Sequence, residues 1–140
     1  MRSRLLDDLE RLLCLGLRDD ARRTGLTEAT ARVLLVLDPE QDLPMGDVAA
    51  RLGRSRSTAT RFVDRAVAEG LVERRTGLDR RRRLARLTPA GITARESLRT
   101  LRAQRAGALP RAVQEHTGLG EGEVEWFVEA VVHALVEPTR

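Results

Sequence analysis

A mainly helical domain with one small β-hairpin is the fold class this sequence predicts, and three observations predict it. Apolar residues recur at helical spacing in six separate stretches of the 140 residues. The core must be aliphatic: the aromatic residues are Phe62, Trp126 and Phe127, with no Tyr, against abundant Leu, Val and Ala. Only residues 71–87 leave the helical period, as two strand-like runs around a turn. The length suits a single domain with a real core.

The elements follow in order. Leu5, Leu6, Leu9, Leu12, Leu13 and Leu17 share one helical face, predicting a helix from about Ser3, a candidate N-cap, to about Arg23, ended by Thr24-Gly25. Thr27 with Thr30 opens a second helix through "ARVLLVL", stopped by Asp38-Pro39. "DPEQDL" reads as a turn. "PMGDVAARLG" reads as a short helix that starts near Pro44, buries Val48, Ala49 and Leu52, and stops at Gly53. Ser55 caps a fourth helix and Gly70 terminates it. "LVERR" and "RLARL" form the hairpin around "TGLDRR"; their alternation is poor, so the turn residues carry much of this reading. Pro89-Ala90-Gly91 starts a fifth helix that Pro110 kinks or splits. Val124, Phe127, Val128, Val131, Val132, Leu135 and Val136 mark the apolar stripe of a sixth.

Charge is distributed unevenly over this plan. Lys and Asn are absent, a bias expected of a GC-rich coding sequence, so arginine abundance alone says little. Position says more: residues 51–86 hold 12 Arg against Asp64, Glu69, Glu73 and Asp79, a balance of +8, whereas the remainder holds 13 Arg and 17 acids, a balance of −4. A basic middle in an acidic frame implies a polyanionic partner for the middle.

On a helical wheel of about 100° per residue, Ala59, Phe62, Val63 and Ala66 face inward. Ser57, Thr60, Arg61 and Asp64 face outward, flanked by Arg56, Thr58 and Arg65. Small hydroxyls allow close approach to DNA and bond phosphates or bases, and arginine bonds guanine bidentately. The helix N-terminus adds free N–H groups for phosphate. The short helix, the "LGRS" turn and this helix together make a helix-turn-helix. The competing reading is an amphipathic helix with a merely solvated polar face, and the basic hairpin beside it favours DNA.

"LGRSRSTATRFVDRAVAEGLVERR" followed by "DRRRRLARLTPAG" resembles the MarR family of winged helix-turn-helix transcriptional regulators, over Leu26 to Gly91. Ala31 departs from the family, standing where an aromatic residue is frequent, and the terminal helices fit in layout only. The resemblance implies a winged helix-turn-helix lobe over 26–88 and a helical dimerisation region from 1–25 and 89–140. It implies a homodimer binding a palindromic operator in double-stranded DNA, with repression the expected outcome and a small-molecule inducer a family option. The DNA-binding residues it implies are Ser55, Arg56, Ser57, Thr58, Thr60, Arg61 and Arg65 on the recognition helix, and Arg80, Arg81, Arg82 and Arg83 on the wing. Arg81 would enter the minor groove, and Asp64 and Asp79 would orient the wing, Asp64 through an ion pair to Arg81. The alternative is a winged-helix module that meets an acidic protein or RNA without operator specificity.

Other chemistry finds little support in the residues. Cys14 is the single cysteine, so no internal disulfide forms, and its leucine neighbours favour an inert thiol over a redox sensor. His116 and His133 lack matched carboxylates at ligand spacing; Glu129 and His133 read as a surface pair rather than a metal site. Trp126 and Phe127 are expected in a dimer core. No phosphate loop, nucleophile–base pair or cofactor motif occurs, so neither an enzyme nor a cofactor is expected. The acid-threaded N-terminus is no signal peptide, and "VLLVL" at 33–37 is too short to cross a bilayer, so a cytoplasmic protein without membrane attachment is expected.

Overall fold

The computed structural model describes residues 16–136. Ser3, the leucines as far as Leu13, and Cys14 lie outside the described residues. So do the side chains of His116 and His133 and most of the predicted final stripe, from Val128 onward. The chain forms two compact units that divide between Leu101 and Arg102.

The first unit opens with α1 over 16–23 and α2 over Glu28–Val36. Thr27 caps α2, its hydroxyl oxygen accepting from the Thr30 N–H, which satisfies one of the four N–H groups a helix start leaves open. Leu37 ends the helix in extended backbone just before Asp38-Pro39. A two-residue strand β1, Leu43–Pro44, leads into α3, Met45–Leu52, and α4 follows over Arg56–Ala68. Strands β2, Val72–Thr76, and β3, Arg83–Leu87, make the hairpin, and α5, Pro89–Thr117, begins immediately after it. Helices α2, α3 and α4 pack on one another. One aliphatic cluster joins Leu17 and Ala21 of α1, Val33, Leu34 and Leu37, Val48, Val63 and Ala66, Val72, Ala85 and Leu87, and Leu98 of α5.

The sheet has three strands in the order β1-β3-β2, all antiparallel, where the sequence suggests only a hairpin. Leu43 pairs with Ala85 and Pro44 with Leu84. Pro44 is tolerable because β1 is an edge strand and needs no donor on its outer side. Val72 faces Leu87 and Arg74 faces Ala85, so Val72, Arg74, Ala85 and Leu87 share the face turned to the helices. Glu73, Arg75, Leu84 and Arg86 take the other face, where Glu73 pairs with Arg75 and Arg86 with Asp42.

The hairpin is bolted to α5 by the "LTPAG" segment. The Thr88 hydroxyl donates to the Gly70 carbonyl at 2.7 Å and accepts from the Gly91 N–H at 3.0 Å, while the Thr88 N–H bonds the Leu71 carbonyl at 3.0 Å. Thr88 thus acts as the N-cap of α5, with Pro89 at the first helical position where its missing N–H costs nothing. Helix α5 runs as one element through Pro110, so the expected split there does not occur.

In the second unit, α5 ends at Thr117 and α6 spans Glu121–Val136. The Glu123 carboxylate accepts from the Gly120 N–H at 2.9 Å, the returning half of a capping box. Glu121 and Glu123 therefore serve the positive end of the α6 dipole, in keeping with the "EGEVE" sequence. Val124 is buried, whereas Leu119, Trp126 and Phe127 are exposed, Trp126 by 70%.

A cluster of charge secures the start of α2. Glu28 accepts from Arg32 at 2.9 Å and from Arg18 of α1 at 3.4 Å. The hydrogen bond from Arg32 is the main cause holding its carboxyl below the ordinary 4.5, with burial opposing and Arg18 helping. A carboxylate depressed in the folded state contributes stability that is complete above its unfolded pKa and is lost as pH falls through the folded value. Wild type is therefore expected to melt above Glu28→Gln at neutral pH, and the gap to close as the pH drops below about 4.5. Circular dichroism melts over pH check this; a gap that persists in acid excludes the linkage.

Candidate nucleic-acid interface

The geometry begins at the turn between α3 and α4. Gly53 adopts φ +62°, left-handed backbone that a side chain would strain, and its N–H bonds the carbonyls of Ala49 and Ala50. That tight reversal sets α4 across α3. Ala59, Val63 and Ala66 bury the inner face of α4, with Phe62 half-buried beside them, as its wheel predicts.

The first turn of α4 organises its own hydroxyls. Ser55 is the N-cap: its Oγ accepts from the Thr58 N–H at 3.3 Å, lies 3.0 Å from the Thr58 hydroxyl, and lies 3.2 Å from that of Ser57. Among the described residues, the Arg56 and Ser57 N–H groups keep no protein partner and are open at the helix's positive end. Thr60 donates its hydroxyl back to the Arg56 carbonyl at 2.9 Å, so it presents its methyl group and acceptor lone pairs outward. Arg56 and Arg61 are exposed, whereas Arg65 pairs with Glu69 at 3.3 Å.

The hairpin tip is equally ordered. Gly77 N–H bonds the Arg82 carbonyl at 2.9 Å and closes a four-residue loop, Leu78 to Arg81. Within it, Arg82 N–H bonds the Asp79 carbonyl at 2.8 Å, making a β-turn with Arg80 and Arg81 at its corners. The Asp79 carboxylate accepts from the Arg81 N–H at 3.1 Å, an Asx turn. Asp79 therefore shapes the tip through its backbone, and Arg80, Arg81, Arg82 and Arg83 are all exposed.

Asp64 does not pair with Arg81. Its carboxylate meets the Nη2 of Arg74 on β2, 2.5 Å away. The cause is strand parity: Arg74 shares the helix-facing side of the sheet with Val72, and small Ala85 opposite leaves its stem room. Asp64 ties α4 to the base of the hairpin, while Arg81 sits at the loop corner. Arg74 is only 28% exposed, and neither its Nε nor its Nη2 has a hydrogen bond of good geometry among the described residues, so the ionic contact with Asp64 is the main compensation for a half-buried guanidinium.

The 12 arginines between 51 and 86 fall into two groups. Five have partners: Arg51 bonds the Val36 carbonyl, and Arg65, Arg74, Arg75 and Arg86 are in ion pairs. The other seven, Arg54, Arg56, Arg61, Arg80, Arg81, Arg82 and Arg83, have no side-chain partner among the described residues. They occupy the inter-helical turn, the outer face of α4 and the hairpin tip. Sequence reasoning misses Arg54, though its place in the "LGRS" turn is a usable signal, and it misses Arg74.

Among the described residues no three His, Cys, Asp or Glu side chains converge to hold a metal, and no helix is long and apolar enough to cross a membrane. The MarR family model matches residues 24–82, which hold α2 through the hairpin tip. No curated protein sequence matches. Among solved structures, a MarR-family transcriptional regulator from Silicibacter pomeroyi is 25% identical, with 97% of this chain and 90% of that one covered and a TM-score of 0.64. CouR from Rhodococcus jostii RHA1, solved bound to p-coumaroyl-CoA, is 21% identical over 100% of this chain and 94% of its own, with a TM-score of 0.71. MepR of S. aureus in its DNA-binding conformation is 19% identical, with 97% of each chain covered and a TM-score of 0.71.

Proposed function

As the chain belongs to the MarR family of winged helix-turn-helix transcriptional regulators, we propose that it is a cytoplasmic homodimer that binds a palindromic operator and represses transcription. The observation that carries this reading is the set of seven unpartnered arginines. Acids are available to the basic segment, yet they neutralise only arginines at the hairpin base and the far end of α4. The turn, the α4 outer face and the tip stay cationic, and a polyphosphate is the partner that this arrangement suits.

In this reading α4 enters a major groove, with Arg61, Arg56 and Thr60 toward base edges. The open N–H groups of Arg56 and Ser57 hold phosphate, with Ser55, Ser57 and Thr58 supporting the helix start and Arg65 at the far end. Arg81 reaches the minor groove, with Arg80, Arg82 and Arg83 on flanking phosphates. Residues 1–25 and 89–140 make the dimer, and exposed Trp126 and Phe127 support a second copy as the partner of α6. The CouR complex supports a small-molecule inducer as a regulatory input, without indicating which molecule. Enzymatic activity is no part of this reading.

The test is to enrich duplex DNA from a random-sequence pool with the protein, then measure affinity over a range of salt concentrations. The expected duplex is an inverted repeat bound by two chains, with log affinity falling against log salt by about 0.9 per phosphate neutralised. Light scattering of the free protein is expected to give the mass of a dimer. Failure to enrich any sequence, with RNA or an acidic protein bound equally well, favours the interaction-module reading instead.

A further inference from the structure

One residue of the hairpin tip is not accounted for by charge. Leu78 opens the loop and is 111% exposed, its side chain wholly in solvent. A lone exposed leucine is ordinary in itself. Here the surroundings are not ordinary. The other exposed large hydrophobics, Leu119, Trp126 and Phe127, all lie beyond residue 101, so within the first unit Leu78 stands alone among the described residues. It sits in the hairpin loop, next to four arginines without side-chain partners among the described residues. Its loop is not slack: the Gly77–Arg82 closure, the Asp79–Arg82 turn and the Asp79–Arg81 Asx turn fix the backbone on which it is carried.

We propose that Leu78 is an apolar wedge for the minor groove, inserted against the sugar walls and base edges so that it opens a base step and bends the duplex. The inference rests on the DNA-binding reading above. The guanidiniums of Arg80 to Arg83 bring the tip to phosphate, and a leucine carried on the same loop then has deoxyribose and base surface to cover it. Burial of that side chain is the gain, and unstacking of one step is the cost; leucine is among the side chains that make this exchange. The wedge would favour operators with a flexible pyrimidine–purine step under the tip, a preference with no hydrogen bond behind it.

The experiment uses the full chain and the duplex enriched by the wild-type protein, end-labelled so that energy transfer reports the bend. Leu78→Ala is expected to lower affinity roughly tenfold and to straighten the bound duplex, with the salt slope and the melting temperature of the free protein unchanged. Leu78→Met is expected to keep both affinity and bend. Arg81→Ala, in contrast, is expected to flatten the salt slope. Wild-type affinity and bend in Leu78→Ala, alongside a weakened Arg81→Ala, overturn the wedge and leave the DNA reading standing. A lowered melting temperature in Leu78→Ala overturns it in favour of a packing role, and equal losses in the alanine and methionine variants overturn it too. If the wild-type protein enriches no duplex, both readings fall together.

Discussion

Gly91→Ala is expected to destabilise this protein more than any alanine substitution on its basic surface. A Cβ at Gly91 would overlap the Leu71 carbonyl oxygen and lie 2.9 Å from its carbon, backbone atoms that no rotamer change can move. The Leu71 carbonyl must shift, and it is the acceptor for Thr88 N–H. Thr88 in turn caps α5 through Gly91 N–H and holds the Gly70 carbonyl. One methyl group therefore disturbs the exit of α4, the end of β3 and the start of α5 together. Forced overpacking costs about 1–3 kcal/mol, occasionally more, and the backbone clash places this substitution at the upper end. Gly107→Ala, inside the same helix with open space around its Cβ, is the control and is expected to gain about 0.5–1 kcal/mol through helix propensity. Urea titrations of both variants decide the matter. Equal midpoints for Gly91→Ala and wild type would rule out the close approach.

That junction explains why a motif readable as a string has a physical basis. "LTPAG" is a cap, a proline at the first helical turn and a glycine that admits a neighbouring carbonyl. The helices were legible because their signals are local: Thr27 and Ser55 as caps, Gly53 as a left-handed stop, and apolar residues repeating at helical spacing. Strand β1 was not legible. It is two residues long, its partner β3 lies some forty residues onward, and Pro44 also stands at the threshold of α3, which masks the pairing.

The site was read less completely than the fold, for two reasons. Hairpin parity turns Arg74 inward and Arg75 outward, so adjacent identical residues have opposite fates, and poorly alternating strands hide which is which. Local bonding was the second. The Thr60 hydroxyl bonds its own helix, a competition that a wheel diagram does not represent.

Arg81→Ala is expected to weaken binding to the enriched operator by about 1–3 kcal/mol, and the partners of Asp64 determine what accompanies that loss. Asp64 is 58% exposed on the outer side of α4, where under the proposed function a carboxylate would repel phosphate, so its presence there calls for a compensating role. Pairing with Arg74 supplies one, because it fixes the hairpin base to the helix it must act beside. Asp64→Ala is therefore expected to reduce affinity, and to do so by letting the hairpin shift rather than by losing a DNA contact. Residues in direct contact couple in double-mutant cycles, whereas distant ones add within about 0.5 kcal/mol. Adding Arg74→Ala to Asp64→Ala should cost little further, since the pair is already broken. Adding Arg81→Ala to Asp64→Ala should cost less than Arg81→Ala alone, since a shifted hairpin has already carried Arg81 from its place, a coupling through backbone rather than through contact. Additivity with Arg74 beside coupling to Arg81 would mean that the bound protein exchanges the Arg74 partner for the wing arginine. Operator titrations of the three single and two double variants distinguish the two arrangements, and the salt slope separates a lost phosphate contact from a displaced hairpin.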